Sequence, residues 1–239
     1  MLFRSEIPKI TQVPTVAATS EGSAPSETDQ NASFLSVSVS KYAGQQTFSV
    51  ELLDRTSPAF FQELMVTLAA AYAKATNAAV NAALISGATL DSTTVATYPT
   101  GAELLGIVAR GESSVYSNTQ GFARNMVVSS GQWSNIMTLN DSGRPIYNAS
   151  NPMNAGGVVS PLSLRGNVAG LDLFVDFTNA GDGDGTIVIV NPDAYTWYES
   201  PTYQLRTDLI STGQVSIAMY GYGAIATKIA AGAFKNNKA

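Results

Sequence analysis

Around residue 55 a polar, alternating segment gives way to a long alanine-rich one, TFSVELLDRTSPAFFQELMVTLAAAYAKATNAAVNAALISG, and this junction constrains the fold most. Ser57 is a good N-cap and Pro58 a good first helical residue. Phe61, Leu64, Leu68, Tyr72, Ala75 and Ala79 then recur at spacings of three and four, which makes one apolar stripe. Gly87 is a suitable stop. The spacing predicts one helix of about 29 residues, a rod of roughly 43 Å. That is more than twice the average helix length. Its alanines leave room for sheets to approach closely.

The segment before this helix reads as a β-hairpin arm. Residues 3–18 form an extended strand, in which Pro8 and Pro14 each remove a ladder donor and favour an exposed or edge position. Residues 19–33 are a polar, turn-rich tip, and residues 34–53 return. On the return strand Phe34, Ser36, Ser38 and Ser40 alternate with Leu35, Val37, Val39 and Lys41. An isolated hairpin is marginal in water. The apolar face of this one therefore needs cover from the body or from a neighbouring subunit. Phe34, Leu35, Val37 and Lys41 are candidate inter-subunit contacts. Glu51, Asp54 and Arg55, at the junction, are candidates for ion pairs that set where the arm lies.

Beyond the long helix, Thr100 and Glu103 make a capping-box pattern that opens a second helix running to about Tyr116. Residues 125–130 read as a short buried strand, 131–139 as a short helix, and 148–161 as loop. Residues 170–178 alternate as a strand, AGDGDG as a hairpin turn, and 186–190 as a buried strand. Residues 192–200 read as a short aromatic helix opened by Asn191 and Pro192. Residues 202–209 and 214–230 are the last strands, joined by a turn at Ser211 to Gly213. Helices and strands mix without a βαβ rhythm, so the fold class is α+β.

Composition removes most chemistry. Among 239 residues there is no Cys and no His, which excludes disulfides, zinc–thiolate sites and Ser-His-Asp triads. No P-loop, dinucleotide fingerprint or nucleophile elbow is present. The expectation is no catalytic residue, no cofactor and no metal. Charged residues make up 13%, against about 25% in a typical soluble domain, and a surface so poor in charge suits close subunit packing. The net charge is −5 with no basic stripe, so sequence-specific nucleic-acid binding is not expected. An acidic wall is still compatible with enclosing a polyanion. Residues 64–85 are apolar enough to raise the membrane question, but Lys74, Asn77 and Asn81 in their middle argue for a soluble helix.

The remaining candidates have plain explanations. Asp182 and Asp184 lack the distal Glu of a calcium loop. Asp172 and Asp176 share one face of a strand, which reads as its solvent face. Tyr195, Trp197 and Tyr198 could form a sugar-binding platform, yet aromatics of this kind more commonly anchor cores and interfaces, and they too are candidate subunit contacts.

The order of elements, with FSVELLDRTSPAF, SPAFFQELMVTLAAAYA, VNPDAYTWYE and LISTGQVSIAMYGYGAIAT, resembles the major capsid proteins of tailed double-stranded-DNA phages, in the form seen in phages of actinobacteria. The resemblance implies the Hong Kong 97-like fold. Residues 1–56 would be the E-loop arm that lies over an adjacent subunit, and residues 57–99 the spine helix and the start of the peripheral domain. Residues 100–190 would be mostly axial domain, and residues 191–239 would complete both domains. The chain opens at Met1 already inside the first arm strand, where family members usually carry an N-terminal arm, so contacts from such an arm are not expected. Some members join neighbours through a Lys–Asn isopeptide bond. Lys9 or Lys41 could be such a lysine, but no Asn or Glu matches residue by residue.

The implied function is a structural shell of hexamers and pentamers around phage DNA, in the virion, assembled in the host cytoplasm. The implied partners are other copies of the chain, the packaged DNA, and portal, scaffold or decoration proteins, with no membrane. The alternatives are an encapsulin-like compartment shell or a secreted β-rich glycan-binding module or hydrolase.

Overall fold

The computed structural model describes residues 4–12, 15–25, 27, 31–55, 58–141, 143–149, 166–179, 184–209 and 212–238. The arm is made of β1 (Arg4–Gln12) and β2 (Asn31–Ser38), an antiparallel pair with Pro8 opposite Phe34 and Ile7 opposite Leu35. The return strand does not continue as one piece. It breaks at Val39 and resumes as β3 (Ser40–Ser49), which leaves β1 and pairs with a strand near the other end of the chain. The segment VELLDR, expected to be strand as far as Leu53, is a short helix, α1 (Val50–Arg55). Its Glu51 and Arg55 suit the opposite ends of the helix dipole.

The long helix α2 runs over Pro58–Gly87, with both expected boundaries. At 30 residues it spans about 45 Å. Ser57 lies outside the described residues, as does the side chain of Phe61. A strand not anticipated from sequence, β4 (Thr89–Val95), comes next. Helix α3 (Gly101–Thr119) begins with the expected capping box: Thr100 accepts from the Glu103 amide, and Glu103 accepts from the Thr100 amide at 2.7 Å. These bonds, the backbone one first, hold the Glu103 carboxyl below its usual pKa. Helix α3 ends with Gln120 in the left-handed conformation.

Strand β5 (Asn125–Val128) and helix α4 (Ser130–Ile136) lie where expected. Small strands β6 (Asn140–Asp141), β7 (Arg144–Pro145), β8 (Tyr147–Ala149) and β9 (Gly166–Val168) lead to β10 (Leu171–Val175) and β11 (Ile187–Val190). The expected loop at 148–161 is strand at its first two residues, and the rest lies outside the described residues. Asn191 caps a single 3-10 turn, Pro192–Ala194. The aromatic helix expected after it is instead a strand, β12 (Tyr195–Glu199). The chain closes with β13 (Tyr203–Leu209), β14 (Gln214–Thr227) and an unanticipated β15 (Ala233–Lys238).

Two sheets result. In the smaller, β14 is central: β3 runs along one edge, while β13 and then β12 share the other, all antiparallel. The larger has seven strands in the order β4-β15-β11-β5-β10-β9-β8. There β11 and β10 flank β5, so AGDGDG does not close a hairpin between them. Asp182 lies outside the described residues, and the Asp184 carboxylate accepts from the Lys238 amide at 2.7 Å.

Helix α3 packs on one face of the large sheet through Leu104, Ile107 and Val115 against Met126, Val128, Ile187 and Ile189. Gly111 makes this approach possible, because a Cβ there would come within 2.6 Å of Ile189 Cδ1. On the other face Val188, Val190 and Ala233 meet Leu84 and Ile85 at the end of α2. Burial on both faces explains the unbroken apolar run of β11. The beginning of α2 packs on the small sheet, with Leu64, Leu68 and Tyr72 on Val215, Ile217 and Met219. One helix thus braces both sheets, which requires its length.

Polar bonds hold that brace. Asp176 is not on the solvent face: it is only 9% exposed, and its Oδ1 accepts from Asn77 Nδ2, the Thr178 amide and Thr178 Oγ1, each at 2.8 Å. Asp172 is exposed, as expected. Lys235 Nζ donates to the Ile85 carbonyl near the C-terminus of α2, where positive charge is favoured. Buried Asn236 accepts from the Gly185 and Ile187 amides and donates to Thr186 Oγ1. An Asn236→Leu variant orphans those groups. It is expected to lose about 2 kcal/mol in urea denaturation.

Candidate inter-subunit surfaces

The junction of arm, small sheet and α2 gathers most residues singled out from sequence. The two faces of the arm differ because successive residues on a strand alternate. Leu35, Val37 and Ile7 face the body, where Val37 is buried against Ala224 and Ala226 of β14. Phe34 points the opposite way beside Pro8 and is 71% exposed. Lys41 lies with its Nζ 4.6 Å from the centre of the Tyr220 ring, and Tyr203 stacks on Tyr220 at 5.3 Å. In α1, Glu51 and Arg55 are exposed, and the side chain of Asp54 lies outside the described residues.

Tyr195, Trp197 and Tyr198 do not form one platform: alternation on the strand puts Tyr198 on the face opposite the other two, and Tyr195 and Trp197 meet different parts of the body. Trp197 meets Tyr42 at 6.3 Å and lies against Gly223, where a Cβ would collide with it. Tyr195 reaches toward Gly87 at the end of α2. Both therefore pack within the subunit, and Tyr198 remains 40% exposed. Trp197 Nε1 donates to Glu199 at 3.1 Å. The Tyr72 hydroxyl is buried without a hydrogen-bond partner among the described residues. Burial first, and the neighbouring Glu199 carboxylate second, push its pKa up to about 12. It is neutral at any physiological pH.

Sequence reasoning missed a second set of side chains. Asp91, 1% exposed, takes a two-pronged contact from Arg110 of α3, with Nε–Oδ1 at 2.9 Å and Nη2–Oδ2 at 2.7 Å, and also accepts from the Thr93 amide. These bonds raise the Arg110 pKa further. A Ser- and Thr-lined hollow of about 540 Å³ lies beside the pair. A smaller cavity of about 300 Å³ separates β3 from α2 around Tyr42, Gly44, Leu68 and Tyr72. No group of three or more acidic side chains placed to hold a metal occurs among the described residues. No described helix is long and apolar enough to cross a membrane.

The arm thus has one face on its own body and an exposed aromatic on the other, and it leads into the bracing helix. The family model described as phage capsid protein matches residues 34–236. The chain belongs to the phage capsid protein family. Its fold is also that of solved phage structures. The capsid of a native GTA particle matches with TM-score 0.71 at 15% identity, covering 99% of this chain and 85% of that one. A chain from Gordonia phage Cozz matches with TM-score 0.67 at 17% identity, covering 98% and 81%. The mature capsid of bacteriophage PhiM1 matches with TM-score 0.67 at 13% identity, covering 98% and 82%. No curated protein matches. The family and fold expected from the resemblance are those found, and the protein is a structural capsid protein.

Proposed function

We propose that this capsid protein assembles as hexamers and pentamers of an icosahedral head enclosing double-stranded phage DNA, and that it has no catalytic role. The carrying observation is the arm: its outer face holds a large exposed aromatic that the subunit itself does not cover. In this reading residues 1–56 are the overlapping arm, and residues 57–99 carry the spine helix and the start of the peripheral domain. Residues 100–190 are mostly the axial domain, and residues 191–239 complete both. The structure of the GTA capsid was computed with five-fold symmetry, which supports pentamers here. The match to phage capsid proteins favours a phage head over an encapsulin-like compartment.

Assembly takes place in the host cytoplasm, with portal, scaffold or decoration proteins as further partners. DNA is held by enclosure rather than by sequence reading, consistent with a net charge of −5. Many weak contacts per subunit sum to a stable shell. The test is sedimentation of the purified chain with negative-stain imaging. Closed shells or discrete rings of five and six are expected. A species of 25.0 kDa at every concentration would overturn the reading.

A further inference from the structure

Strand β13, YQLRTDL, lies at an edge of the small sheet: it pairs with β14 on one side and, among the described residues, with no strand on the other. The pairing runs from Tyr203 to Leu209 without a register shift, so the outer edge presents a regular, open ladder of amides and carbonyls. Natural edge strands are blunted by a proline, a bulge or an unpaired charge. Strand β13 has no proline and no bulge, and residues 203–208 are all exposed. Its two charges are opposite in sign. Arg206 Nε donates to Asp208 Oδ1 at 3.3 Å, with the side chains 59% and 61% exposed. An exposed pair of this kind contributes little to the fold and is free to rearrange.

The order of these residues makes the edge complementary to itself. When two copies of β13 run antiparallel about a two-fold axis at Thr207, Thr207 meets Thr207, and Arg206 of each copy stands opposite Asp208 of the other. Leu205 falls opposite Leu209. Within the subunit Arg206 stands opposite Ile217 and Asp208 opposite Val215, so both charges lie on the α2 side of the sheet. The two-fold axis keeps their new partners on that same side. Two ion pairs and a Thr–Thr pair thus come from one strand. Moving the axis by one residue, to Arg206 or to Asp208, opposes like charges instead, so the charges select the register. We propose that β13 is a self-association edge, which pairs with β13 of a second copy and joins their two small sheets across a two-fold axis. Head-to-tail contacts close a ring of five or six but do not join one ring to the next. A contact across a two-fold axis uses the same surface on both copies, and this edge is such a surface.

This inference rests on the shell-forming reading for its place between rings, and the test separates the two. Wild type, Arg206→Asp, Asp208→Arg and the double reversal are compared by sedimentation and negative stain at one ionic strength, after circular dichroism establishes that each is folded. Each single reversal opposes like charges twice at the seam. It is expected to lower the closed-shell fraction about tenfold while rings of five and six persist, and the double reversal to restore the shells. Because the chain has no Cys, Thr207→Cys gives a second readout, independent of charge. Across the axis its two Cα atoms fall within the roughly 4.4–6.8 Å that a disulfide spans, and oxidation is expected to link two copies. The two copies of Gln204→Cys stand about 20 Å apart in the same register and are expected to stay unlinked. If wild type assembles, single reversals that close shells like wild type, or a Thr207→Cys chain that fails to cross-link, overturn the edge pairing while the shell reading stands. If wild type yields only two-chain species and Thr207→Cys links them, the edge pairing stands and the shell reading falls. If wild type stays at 25.0 kDa at every concentration, both fall.

Discussion

A chain lacking residues 4–36 is expected to fold and to form no shells. Among the described residues the arm's strands pair only with each other, and its hold on the body is the small cluster around Val37. The cut must stop before Val37. A deletion carried to residue 40 would remove Val37 and the first residue of β3, a strand paired with β14 over ten positions. Sedimentation should show subunits in place of particles, because losing one overlap per subunit is multiplied around every ring. Melting of the truncated subunit should remain cooperative. Normal particles in negative stain would show that the arm is dispensable.

The second large effect concerns Arg110. An Arg110→Ala variant leaves the Asp91 carboxylate, 1% exposed, without its guanidinium partner. A buried charge stripped of its partner costs about 3–5 kcal/mol. The reverse change, Asp91→Ala, should cost roughly half as much. The guanidinium left behind is 36% exposed, and water can solvate it. The pair ties β4 to α3, so the loss should appear as global destabilisation in urea denaturation. Equal losses for the two single variants would refute the asymmetry, and with it the claim that carboxylate burial dominates.

Features governed by near neighbours were legible in the chain. The start of α2 at Pro58 and its stop at Gly87 follow from proline at a helix start and glycine at its end. The capping box at Thr100 is local, since its bonds close over three residues. The all-apolar run of β11 announced burial on two faces. The overall order of elements carried the family resemblance.

Where a distant partner decides, local pattern fails. YTWYE has the residues of a strand or of a short helix, and pairing with β14 makes it a strand. VELLDR continues an alternating segment but turns helical where the chain leaves β14 at Ser49. Asp176 looks like a surface carboxylate until α2 brings Asn77 against it across 99 positions of chain. Of the sequence-derived contact candidates, Phe34 and Leu35 are adjacent, yet pairing with β1 sends one outward and the other toward the body.

The sequence by itself determined the long helix, the capping box at Thr100, the mixed α and β class and the family resemblance. The tertiary structure alone decided that β3 leaves the arm for β14, that Trp197 faces inward, and which side of the arm is free. Helix propensity and capping act within a few residues. Strand partners and faces are set by contacts between segments far apart in the chain, and no local spacing encodes them.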